Sequence, residues 1–234
     1  WRPPRGAIGA PVIGLADDLA GQRGLIVAGA GSGPGPSVSR LAAALGWPVL
    51  AAPQAEVWGA AEAVPAADAL LRTAPDLAPQ VVLRLGGPLA SRVVGEWVAA
   101  TGAAEVVAAG PRTWIDPHGT AAVVLPVPPE ALLDAWLVEA ERVAPVDDGA
   151  WLASWLEAGR RADRAMADVL AAEPALTEPG VARELVAALP PLARLVLSSS
   201  MPIRDVEWHA IGRADVEVHA NRGANGIDGV VSTA

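Results

Sequence analysis

The sequence predicts an α/β fold: a doubly wound, parallel-sheet central domain followed by the first βαβ unit of a second α/β domain. Three observations predict it. Short apolar runs rich in Val, Leu and Ala alternate with longer segments whose apolar residues recur at helical spacing. Each run is too short for a helix and is bounded by Gly or Pro. The chain has 234 residues, 52% of them hydrophobic, enough to core one large domain and part of another.

In chain order, strands are expected over residues 24–30, 48–52, 81–85, 105–109 and 122–127. Helices are expected between or after them, over 37–45, 66–72, 91–101 and 130–141. In the third of these Val93, Val94, Trp97 and Val98 share one face. A long helix over 149–172 turns Trp151, Leu152, Trp155, Leu156, Ala162, Met166 and Leu170 inward. The Pro- and Gly-containing stretch from Glu173 to Gly180 interrupts it. The domain boundary is therefore expected near Glu173, dividing the chain into 1–172 and 173–234. Thr177 is placed to cap a helix over 178–188, with Pro179 in the first turn where proline is tolerated, and Pro190-Pro191 closes it. A strand over 194–198, a helix over 205–212 and a strand over 216–220 make the second unit. No internal repeat is visible.

Composition removes several function classes. The net charge of −9 argues against nucleic acid as a partner. No apolar run reaches the ~18 residues of a membrane span. Trp1-Arg2-Pro3-Pro4-Arg5 has no apolar leader core behind it, so a cytoplasmic location is expected. Cysteine is absent, which excludes thiolate catalysis and disulfides. His118, His209 and His219 are scattered, without metal-ligand spacing, so no metal site is expected from them. All 17 basic residues are arginine.

Three places carry candidate chemistry. Ala28-Gly29-Ala30-Gly31-Ser32-Gly33-Pro34-Gly35-Pro36 lies between a strand and a helix, the context of a phosphate-binding turn. Its spacing fails, because the third glycine falls on Pro34 or Pro36, and proline has no N–H to offer. A structural turn is favoured. Arg92 stands near the start of the helix after the third strand, where open α/β sheets bind ligands. On residues alone it is equally an anion contact or a solvated surface charge. The third place is Ser198-Ser199-Ser200-Met201-Pro202-Ile203-Arg204-Asp205, with Asn221-Arg222-Gly223-Ala224-Asn225-Gly226-Ile227-Asp228-Gly229. Arg204 and Arg222 each follow an expected strand, and their loops are adjacent if the strands pair. Two planar guanidinium forks with serine hydroxyls and clustered glycines suit an anionic ligand such as a di- or tricarboxylate.

These last two motifs together resemble the SEPHCHC synthase family (2-succinyl-5-enolpyruvyl-6-hydroxy-3-cyclohexene-1-carboxylate synthases) of thiamine-diphosphate enzymes in menaquinone biosynthesis. Weaker likeness runs through Gly29-Ala30-Gly31-Ser32-Gly33, Trp47-Pro48-Val49-Leu50-Ala51 and Val82-Leu83-Arg84-Leu85-Gly86. The resemblance implies a central, transhydrogenase-type domain with the opening βαβ unit of the diphosphate-binding domain. It implies thiamine diphosphate and Mg²⁺ as cofactors. The implied reaction is decarboxylation of 2-oxoglutarate and transfer of its succinyl unit to isochorismate, in a homodimer or homotetramer. Carried over by position, Ser200, Arg204, Arg222 and Arg92 would contact substrate. Ser199, Ser200, Asn225 and Ile227 would contact cofactor, with Ile227 propping its bent conformation. Ser199 stands where the family often has Asn, and Asn225 where it often has Ser. No metal ligand is expected in this chain. The cofactor-activating glutamate and the Gly-Asp-Gly…Asn motif belong to segments that the chain lacks, so the chain alone is expected to be inactive. Two rivals stay open: an acetolactate synthase-like enzyme, and a module binding a metabolite through Arg84, Arg92 or Arg112.

Overall fold

A computed structural model describes residues 19, 21–73, 76–108, 110, 116, 119–142 and 144–221. Five strands form one parallel sheet: β1 (Gly24–Ala28), β2 (Val49–Ala51), β3 (Val81–Leu85), β4 (Ala104–Ala108) and β5 (Ala121–Leu125). Their order is β2-β1-β3-β4-β5. Ile26 lies opposite Val49 on one side and Leu83 on the other. The order reverses between β1 and β3, the place where an open α/β sheet leaves a crevice at its carboxyl edge.

Parallel strands need crossover connections, and these put helices on the faces. Helix α1 (Gly35–Leu45) packs with α4 (Pro129–Ala140), while α2 (Ala67–Arg72) packs with α3 (Arg92–Thr101) and with the long α5 (Ala150–Ala172). β1 and β3 are therefore buried along their whole length, which is why they read as unbroken apolar runs. β5 alternates between partly buried and exposed positions as an edge strand does, and only Leu125 is buried. Trp47, Trp136 and Trp155 are the largest fully buried side chains. Trp155 meets Trp97 and Trp151 edge-on at centroid distances of 5.7 and 5.9 Å, and the Trp151 indole donates to the Gly24 carbonyl at 2.7 Å. These contacts fasten α5 across the amino end of β1.

The Gly-rich turn after β1 is shaped by the approach of two backbones. Gly29 N donates to Leu85 O at 2.9 Å, and Gly87 N to Ala30 O at 2.8 Å. A Cβ on Gly29 would lie 1.7 Å from the Gly87 carbonyl oxygen, whereas one on Gly31 would meet open space at a φ of +73°. Gly29→Ala is therefore expected to cost about 3 kcal/mol by overpacking. Gly31→Ala should cost about 1–2 kcal/mol, the penalty of a left-handed backbone. Urea midpoints of the two variants check this; equal losses would contradict it. The N–H of Gly35 at the start of α1 donates to Glu56 Oε2 at 3.0 Å, so a carboxylate of the chain occupies the place where a phosphate would sit.

The second unit holds α6 (Glu178–Ala188), β6 (Arg194–Leu197), α7 (Met201–His209) and β7 (Glu217–Ala220). Thr177 caps α6, its hydroxyl accepting from Gly180 N. β6 and β7 pair in parallel, Leu195 opposite Val218. Their core includes Val186, Leu197, Ile203 and Val206, and Trp58 from the loop after β2 is buried among them at 7% exposure. One expectation is corrected: the helix expected over 205–212 starts four residues earlier, at Met201. Pro202 sits in its first turn, where the missing N–H costs nothing.

Candidate functional site

The site candidate lies at the carboxyl ends of β6 and β7. After Leu197 the chain turns through Ser198, Ser199 and Ser200 directly into α7. Ser200 makes the turn at φ 76°, ψ −126°, a conformation costly for a residue with a side chain. Ser199 Oγ donates to the Asn221 carbonyl, and Asn221 N donates to Leu197 O at 3.3 Å, so the two strand ends are tied together. Ser198 Oγ donates to the Ser199 carbonyl at 3.0 Å.

Ser200 is exposed and makes no side-chain cap bond to α7. The first N–H groups of that helix therefore keep their partial positive charge. Arg204 lies in this first turn, not in a loop after β6; the early helix start places it there. It is partly buried and has no ion-pair partner among the described residues. A helix N-terminus, an exposed hydroxyl and a guanidinium without an ion pair among the described residues form a donor set suited to a carboxylate or a phosphate. Arg222, Asn225 and Ile227 lie outside the described residues.

Arg92 is the first residue of α3, 86% exposed, with Nε 3.3 Å from Glu96 Oε1. Arg84 is unavailable to a metabolite, because its Nε is held at 2.6 Å by the buried Glu105 carboxylate, which also accepts from Thr120 Oγ1 at 2.6 Å. Arg112 is outside the described residues.

Nothing in the sequence pattern points to the network that joins the two units. Glu207, one turn after Arg204 on α7, accepts from Ala90 N at 2.8 Å and Ser91 N at 2.6 Å. Ser91 caps α3, its hydroxyl accepting from Val94 N and donating to Asp68 Oδ1 at 2.5 Å. Arg72 holds the other Asp68 oxygen at 2.7 Å and lies 5.9 Å over the Trp208 ring. The one local signal was Ser91 as an N-cap; its partners lie far away in sequence.

Two of the titratable groups on α7 are shifted from their ordinary values. Burial raises the Asp205 carboxyl above its ordinary value; the Glu178 charge adds to this and His209 opposes it. Burial also lowers the His209 imidazole below its ordinary value, against the attraction of Asp205 and Asp68 and with help from Arg183. Among the described residues no group of three or more His, Asp or Glu suits a metal ion, and no helix is long and apolar enough to cross a membrane.

Comparison with known proteins gives concordant findings. The family model described as "Middle domain of thiamine pyrophosphate" matches residues 15–197. Three curated relatives are named 2-succinyl-5-enolpyruvyl-6-hydroxy-3-cyclohexene-1-carboxylate synthase. That of Myxococcus xanthus is 40% identical over 91% of this chain and 37% of its own length. That of Rubrobacter xylanophilus is 37% identical over 96% of this chain and 41% of its own length. That of a Synechococcus strain is 35% identical over 91% of this chain and 37% of its own length. The chain thus spans about two fifths of the length of these relatives.

Proposed function

The chain belongs to the thiamine pyrophosphate middle-domain family, and from that premise we propose that it is the central part of a SEPHCHC synthase, dividing near Glu173 into a middle domain and the opening of a diphosphate-binding domain. The full-length protein would decarboxylate 2-oxoglutarate and transfer the succinyl unit to isochorismate, in a cytoplasmic homodimer or homotetramer. The observation that carries this reading is Arg204, a cation in the first turn of α7 with no ion pair among the described residues, within a stretch that matches the named synthases.

Thiamine diphosphate, when bound, supplies the carbanion chemistry that no side chain of this chain can supply. The chain's own residues bind and orient. The Ser200 hydroxyl and the free N–H groups of α7 offer hydrogen bonds to an anionic group of substrate or cofactor. Arg204 offers a two-pronged fork to a carboxylate, which fixes orientation as well as charge. Arg222 and Arg92 complete the proposed substrate contacts. Ser199, with its hydroxyl committed to Asn221, acts by shaping the strand ends, while Asn225 and Ile227 are assigned to the cofactor by resemblance. The described residues offer no Mg²⁺ ligand set, and no step is assigned to that ion.

The test is product formation by the polypeptide at the full length of its relatives, with thiamine diphosphate, Mg²⁺, 2-oxoglutarate and isochorismate. SEPHCHC is the expected product, and the 234-residue chain alone should give none. Preference for pyruvate over 2-oxoglutarate would sink the reading in favour of an acetolactate synthase-like enzyme.

A further inference from the structure

We infer that Glu207 is a positioning residue, a clamp that sets α7, and with it Arg204, against the start of α3. This rests on the substrate role of Arg204 proposed above. Residues three apart on a helix lie on one stripe, so Glu207 sits one turn from Arg204 on the same side of α7. Its carboxylate takes two backbone N–H groups at once, those of Ala90 and Ser91. Charge-assisted pairs of that kind fix direction as well as distance.

The residue after Glu207 strengthens the grip. Trp208 lies under the Arg72 guanidinium, and Arg72 is held by Asp68, which is held by the same Ser91. Two successive residues of α7 are thus gripped by α2 and α3 of the central unit. Arg92 directly follows the clamped Ser91. Glu207 therefore spans from the helix of one proposed substrate arginine to the helix of the other. Among the described residues neither arginine has an ion pair that would set this offset: Arg204 has none, and Arg92 pairs only with Glu96 of its own helix. The central unit in this way acts on the site without lending it a reactive group.

The experiment uses the full-length protein with Glu207→Ala and the isosteric Glu207→Gln. The Ala variant should raise the KM for 2-oxoglutarate at least tenfold with kcat changed less than threefold. Gln should fall between, since its carbonyl can accept one N–H but its amide cannot accept the other. Formate, a carboxylate small enough for the vacated place, should restore part of the KM in the Ala variant and leave wild type unaffected. In the double variant with Arg204→Ala, Glu207→Ala should add no further rise, because it acts through that arginine. Hydrogen exchange at Ala90 and Ser91 is the independent readout, and it should quicken at least tenfold in the Ala variant. Unchanged exchange would show that no clamp exists. Faster exchange with an unchanged KM would show a fastening without influence on substrate. Either overturns the inference while the functional reading stands. A wild type unable to turn over 2-oxoglutarate would overturn both.

Discussion

Glu105→Leu is expected to destabilise the chain by about 3–5 kcal/mol, the usual loss when one partner of a buried ion pair is removed. Arg84 lies in the middle of β3, with paired strands on both sides, and its side chain is 9% exposed; that of Glu105 is 2% exposed. In the variant the guanidinium would keep its burial and lose its counter-charge. Thr120 would lose the acceptor for its hydroxyl as well. The cost arises from isolation of a charge, so the pair itself need not be stabilising. Arg84→Met combined with Glu105→Leu should therefore recover most of the loss. Urea unfolding followed by tryptophan fluorescence measures both. If the double variant were as unstable as the single one, packing of the Glu105 stem, and not charge, would be the cause.

The same pair shows where sequence reading stops. Val-Val-Leu-Arg-Leu is recognisable as a strand, and the arginine inside it is one of three that the rival metabolite-binding reading names. What satisfies it is a glutamate on the next strand, reached diagonally because Arg84 stands opposite Val107. Register between parallel strands is not written in either strand alone. β1 and β3 were legible because burial on both faces leaves an unbroken apolar run, and Thr177 was legible because capping is local. The expected start of α7 falls four residues late because Ser-Met-Pro-Ile reads locally as a loop. The positive φ of Ser200 lets the chain enter a helix at once, with Pro202 in its tolerated place. Glu207 showed nothing locally, since its partners lie more than a hundred residues away. The serines and Arg204 were legible as chemistry, whereas their placement on a helix N-terminus was not.

Arg204→Ala should produce the opposite profile from Glu105→Leu. In the full-length protein, loss of a hydrogen-bonded pair with a substrate carboxylate removes about 1.5–3 kcal/mol of binding. That is a fall of roughly 10- to 150-fold in kcat/KM for 2-oxoglutarate. Stability should change by less than about 0.5 kcal/mol, because Arg204 is only partly buried and has no ion pair among the described residues to lose. Arg84 and Arg204 are the same residue type in opposite states. The first has its charge satisfied inside the protein and so serves the fold, while the second has no ion pair among the described residues and, on the proposal above, meets a substrate carboxylate. Arg204→Lys restores the charge without the planar fork, so it should recover part of the KM and little of the discrimination between a 2-oxo-dicarboxylate and pyruvate. Equal loss with both substrates would mean that Arg204 meets a group they share, the 2-oxo acid or the cofactor, and not the distal carboxylate. A large loss of stability would mean instead that its charge is already spent within the fold.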